Sequence, residues 1–305
     1  MKNIIYILLL SIPAFVYGQQ MPLYSQYMLN DFVVNPAVAG SKSYSPLRLN
    51  VRNQWSGLGV SAPQTNTLSF HAPLRDGDIG LGGTIFQERT GPYSQFGLIL
   101  SYAYHMKLSR YSSSTLSLGA SGLITQHSLN QDELEFKNPD PDFEGGIVSK
   151  MVPDASFGAM IRSEDFFLGV SVQQLFESTF REAITNFYGD NDEVRHYMFN
   201  AGFKYHINYD LFFEPSIFIK TIEGGPTQVD VNGRMVFNKK FWSGLSLRSS
   251  KALVALVGMD IGQFHLGYGF DLTFTSIGAY TSGSHEISIG YNIPQPRSRR
   301  HTYYW

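Results

Sequence analysis

The chain has 305 residues, 43% hydrophobic, 16% charged and 14% aromatic, with a formal net charge of −2. That balance leaves no basic footprint for nucleic acid, and the absence of cysteine removes disulfides, thiolate catalysis and cysteine-type metal sites. Abundant Tyr, Phe and Gly with few charges and no long apolar run is instead what a transmembrane β-barrel needs, since its strands face lipid on one side and water on the other.

Residues 1–18 have the form of a cleavable export signal. Lys2 precedes the apolar runs 4–10 and 12–16, and Val16-Tyr17-Gly18 ends on a small residue. A retained transmembrane helix is the competing reading, but the run is short and broken by Pro13.

Residues 19–46 form a separate segment. Its stretch QQMPLYSQYMLNDFVVNPAVAG (19–40) shows no period-2 alternation and too few apolar residues to cross a bilayer. Asn35-Pro36 and the small residues after it read as a turn handing the chain to the first strand. Ahead of a closed barrel, this piece lies in the lumen or against its periplasmic mouth, the alternative being a loose leader on one rim. In the lumen, Tyr24, Tyr27 and Asn30 would pair with inward polar groups. Arg48, Arg52 and Trp55 on the first strand would receive the segment, because buried Asn and Tyr groups need partners that inward Arg side chains can supply.

From 47 to 293 the chain alternates apolar with polar or small residues in segments of about ten, the length of a tilted membrane-crossing strand. The segments are 47–55, 65–72, 79–88, 94–108, 116–128, 155–162, 166–174, 195–207, 211–221, 228–238, 241–249, 253–261, 264–274 and 286–293. The expected fold is all-β, a transmembrane antiparallel outer-membrane barrel of about fourteen strands with an N-terminal segment in or against the lumen. Every other connection is tight, as at 74–77, 163–165 and 262–263, and those between are on the whole longer, reaching 129–153 and 175–194. This sorting assigns short turns to the periplasm and long loops to the outside. Trp55, Tyr93, Phe176, Tyr197, Phe213, Trp242 and Tyr291 fall near strand ends, where interfacial girdles sit.

The two longest loops interleave acids and aromatics. Phe136 and Phe143 lie among Asp132, Glu133, Glu135, Asp140, Asp142 and Glu144, and Phe180, Phe187 and Tyr188 lie near Asp190 and Asp192. Solvated loop, Ca²⁺ ligation and an extracellular partner surface are the readings, with no EF-hand spacing present. No nucleophile elbow frames a serine and no helical His pair has metal spacing, so we expect no enzyme, no cofactor and no metal. Residues 294–305 form a basic tail containing Arg297, Arg299 and Arg300, expected on the periplasmic side.

PLYSQYMLN and NPAVAG (22–40), RNQWSGLG with APQT (52–65), GLGGTIF (80–86), VSVQQLF (170–176), FEPSIFIK (213–220), PTQVDVN (226–232), FWSGLSLR (241–248) and SHEISIGYN (284–292) resemble the PorP/SprF family over nearly the whole exported chain. The resemblance implies an outer-membrane barrel of the type IX secretion system, without enzymatic activity. It implies as partners either the C-terminal domain of a secreted adhesin or other components of the machine, with outer-membrane lipid around the barrel. A porin or hydrophobic-solute channel is the alternative from a different class.

Overall fold

The computed structural model describes residues 24–109, 113–134, 145–176 and 194–295. The export signal, the loop aromatics Phe136, Phe143, Phe180, Phe187 and Tyr188, and the Arg-rich tail lie outside the described residues. The strands are β1 (Tyr44–Asn53), β2 (Gln64–Leu74), β3 (Ile79–Thr90), β4 (Tyr93–Lys107), β5 (Thr115–Asn130), β6 (Ile147–Arg162) and β7 (Phe166–Gln173). They continue as β8 (His196–Phe203, resumed after Lys204 by Tyr205–His206), β9 (Leu211–Ile222), β10 (Thr227–Phe237), β11 (Phe241–Arg248), β12 (Ala252–Ile261), β13 (Phe264–Thr273) and β14 (Ser284–Pro294). Each pairs antiparallel with its sequence neighbours, and β1 pairs with β14 from Tyr44↔Pro294 to Asn53↔His285, closing a fourteen-stranded barrel. Closure is what a membrane demands, because hydrocarbon offers no partner to an unpaired N–H or C=O.

The alternation decides which face is which. In β4, Phe96, Leu98, Leu100, Tyr102 and Tyr104 are exposed on the outside, while Gln95, Ser101, Ala103 and His105 are buried inside. An inside-out pattern follows: large apolar side chains ring the exterior, and polar and small ones line the interior. Exposed aromatics stand at both ends of the barrel: Tyr104, Phe166, Phe203, Tyr205, Phe241 and Phe264 at the short-turn end, and Phe96, Phe176, Tyr197 and Phe274 at the other.

Three expectations need correcting. Trp242 is 4% exposed and points inward, with its ring stacked on His265, while Tyr93 bonds the inward His127 and Trp55 stands at the lumen mouth. Nearness to a strand end locates depth; parity decides the face. Second, β6 begins at Ile147, not near 155. Pro153 made the earlier half look like loop, but the ladder with β5 runs through it from Asn130↔Ile147 to Thr115↔Arg162. Third, not every outer connection is long. β3 and β4 are joined by Gly91 and Pro92 alone, and β11 and β12 by residues 249–251. A tight hairpin suffices wherever neighbouring strands end level.

Candidate functional site: the luminal plug

Residues 24–43 fill the lumen and hold the hydrophobic core of the molecule. Phe32, Ala37, Val38 and Ala39 pack with Ala103 and Met160; Leu29 packs with Val236, Trp242, Val254 and Leu256; Tyr27 and Val34 pack with Met198 and Phe218. The segment runs downwards through the barrel. Ser25 meets Arg52 and Asp271 towards the long-loop end, and Gly40 lies against Ala72, Pro73 and Gly80 at the short-turn end.

The turn Asn35–Gly40 shows why small residues occupy it. Asn35 accepts from the Ala37 N–H at 2.9 Å, capping the single turn Pro36–Val38 that proline opens. Its Nδ2 donates to the carbonyls of Ala159 (3.3 Å) and Val170 (3.2 Å), reaching the bare backbone of β6 and β7 beside Gly158. Ala37, Val38 and Ala39 are fully buried. At Gly119 an added Cβ would lie 2.6 Å from Ala37 Cα, so the lumen wall is glycine where the turn presses on it. The Gly40 N–H donates to His71 Nδ1 at 3.0 Å, and His105 Nε2 donates to the Ala39 carbonyl at 2.8 Å. Gly40 has φ 68°, a left-handed conformation that a side chain would strain.

A charge network fastens the other end. Arg52 Nη2 donates to Asp271 Oδ2 at 2.6 Å and Nη1 to Glu286 Oε2 at 2.9 Å. Glu286 also accepts from the backbone N–H of Ser25 (2.7 Å) and Gln26 (3.0 Å) and from Asn50 Nδ2 (2.9 Å). Arg248 joins through Asp230 Oδ2 at 3.1 Å and Asp271 Oδ2 at 3.4 Å. Buried charges hold only when paired and hydrogen-bonded, and this set satisfies that while clamping the plug's first residues. Midway, Tyr24 Oη meets Thr67 Oγ1 at 2.9 Å, Tyr27 Oη donates to Asn232 Oδ1 at 3.1 Å, and Asn30 Nδ2 donates to Ser69 Oγ at 2.8 Å. Burial pushes both phenols well above their ordinary range, so they stay protonated. Asp31 is paired with Arg162. Burial alone would raise its carboxyl, but Arg162 and Lys42 hold it below the usual value of 3.8.

Of the residues singled out in the sequence, Tyr24, Tyr27, Asn30, Asn35, Pro36 and Arg52 thus meet across the plug. Arg48 does not join them. It is luminal, but it donates to Asn292 Oδ1 at 2.6 Å and to its neighbour's carbonyl. Trp55 leaves β1 with φ 52°, its N–H donating to Ser284 Oγ at 3.0 Å, and lines a cavity of about 430 Å³ above the plug. Ser25, Gln26, Asp230, Arg248, Asp271 and Glu286 were not singled out. Their signal was available in part, because a charge at an inward position of a membrane strand must find a partner in the lumen. Among the described residues no cluster of His, Asp and Glu is placed to hold a metal ion.

Comparison with known proteins agrees with this architecture. No curated protein matches the sequence. Among solved structures, the CymD monoaromatic hydrocarbon channel superimposes with a TM-score of 0.51 at 10% identity, over 92% of this chain and 96% of that one. A Pseudomonas aeruginosa FadL homologue gives 0.49 at 10% identity over 92% and 96%, and the KdgM porin 0.41 at 6% over 81% and 98%. At such identities the likeness is one of fold. The profile described as "Type IX secretion system membrane protein PorP/SprF" matches residues 16–291, which takes in the plug and all but the end of the last strand. The chain with the NPAVAG-locked plug therefore belongs to the PorP/SprF family, as an outer-membrane component of the type IX secretion system.

Proposed function

We propose that this barrel binds and anchors a large secreted adhesin through the adhesin's C-terminal domain, in the manner of the SprF-like members, and does not serve as a solute channel. The observation that carries the reading is the plug. It meets twelve of the strands through hydrogen bonds or apolar packing and β3 and β5 through close approach at glycine, and its two ends are locked by a buried ion network and by backbone contacts at glycine. A lumen filled in this way suits a rigid platform that presents its loop end to a partner. A channel would need the segment to leave, breaking the buried hydrogen bonds of Ser25 and Gln26 to Glu286, Asp271 and Arg52.

The test is affinity purification of the tagged protein from the outer membrane of its own bacterium, with mass spectrometry and limited proteolysis. A very large secreted protein whose C-terminal domain is protected is the expected result. Deletion of the barrel that leaves every surface adhesin exported and attached would overturn the reading. Recovery of periplasmic components with no adhesin would point instead to a core role in the machine.

A further inference from the structure

The cavity above the plug is lined by charged side chains, not all of which are fully paired. Its lining includes Arg52, Lys220, Arg248, Asp271 and Trp55, at the end of the barrel that carries the longest connections. Arg52 gives Nη1 and Nη2 to Ser25, Glu286 and Asp271 and keeps Nε unpaired. The Arg248 side chain is 3% exposed; Nε and Nη1 go to Asp230 and Asp271, and Nη2 has no partner. Lys220 is 7% exposed and takes no hydrogen bond or ion pair among the described residues. Beside them Asp271 spends Oδ2 on Ser25, Arg52 and Arg248, while its buried Oδ1 accepts nothing.

A buried cation without a partner is costly, and Lys220 is one; Arg248 is ion-paired but keeps one buried N–H unpaired, and both side chains line one cavity, which suits an anionic guest. A guanidinium edge and an ammonium favour a carboxylate, which can accept from both. The free Asp271 oxygen calls for a donor close to that carboxylate. We propose that this cavity binds a carboxylate flanked by an N–H, with Lys220 and Arg248 Nη2 donating to the carboxylate and Asp271 Oδ1 accepting from the N–H. A small N-acyl amino acid and the last residue of a polypeptide share this chemistry. The site stands on its own geometry and does not depend on the adhesin reading, which would supply the polypeptide source.

The purified full-length protein in detergent, titrated with N-acetylglycine and followed by tryptophan fluorescence, tests this, with Trp55→Phe identifying the reporter. Saturable quenching is expected, with Kd raised at least tenfold by Lys220→Met and no response to N-acetylglycinamide. Lys220 has no partner to abandon, so this variant should keep the heat-modifiable gel mobility of the folded barrel, whereas an Arg248 variant would disturb the plug network. A short peptide with a free carboxyl terminus that binds tenfold more tightly than N-acetylglycine assigns the site to a polypeptide end, and equal affinities assign it to small carboxylates. Equal binding of the amide, or an unchanged Kd in Lys220→Met, overturns the proposal.

Discussion

Arg52 is the residue on which most of the buried charge depends. It is 2% exposed and bonds two carboxylates and the Ser25 hydroxyl. Removing one partner of such a set strands the others, at a cost of about 3–5 kcal/mol. Arg52→Ala should therefore lower the urea midpoint of the folded barrel, while Arg48→Ala, whose partners are Asn292 and a neighbouring carbonyl, should leave the plug protease-resistant. Asp31 gives a pH test. Its carboxyl is held below the ordinary 3.8 by Arg162 and Lys42, so its contribution is full above that value and is lost as pH falls through the lower folded one. The midpoint difference between wild type and Asp31→Asn should be largest near neutrality and should shrink in acid. A difference independent of pH from 7 to 3 would count against the ion pair.

At the scale of elements, the turn Asn35–Gly40 and the glycine-lined wall of β3 and β5–β7 are one fitted unit. Gly119→Ala puts a methyl group against the backbone of Pro36 and Ala37, an overpacking that costs about 1–3 kcal/mol. The expected outcome is a plug cleaved by protease in a barrel that still migrates as folded. Gly122→Ala on the same strand faces outward with nothing within 4 Å and should be silent. The strands themselves were legible, because period-2 alternation reports directly on the two solvents each strand separates. The early half of β6 was not, because Pro153 reads locally as a strand breaker, while the ladder with β5 that carries the strand through it is not a local property. Trp242 was misplaced for a similar reason: its neighbours told its depth, while its inward face depended on the register of β11.

For the whole molecule, the plug inverts the usual relation between core and wall. The barrel's exterior is its apolar face towards lipid, and among the described residues the dry core is the contact between residues 24–43 and the lumen. Wild-type protein in planar bilayers should show little steady conductance, and a variant lacking residues 24–40 should open a large one if the barrel still closes. Comparable conductance in both would mean that the segment does not seal the lumen, and the platform reading would lose its main support.

By itself the sequence determined the number and direction of the strands, most of the lipid-facing set, and the family through motifs spread from Pro22 to Asn292, since each of these is written in local order. It also marked the 19–40 stretch as the piece that obeys a different pattern. Only the tertiary structure decided what that piece touches. Ser25 and Glu286 are 261 residues apart, and Tyr27 and Asn232 are 205 apart. Such pairs arise because closing the ring brings first and last strands together, and no local periodicity encodes a partner across the lumen. The cavity over the plug belongs to the same class. Lys220, Arg248 and Asp271 sit on β9, β11 and β13, and they meet only because alternate strands of a closed barrel point their inward side chains at one axis.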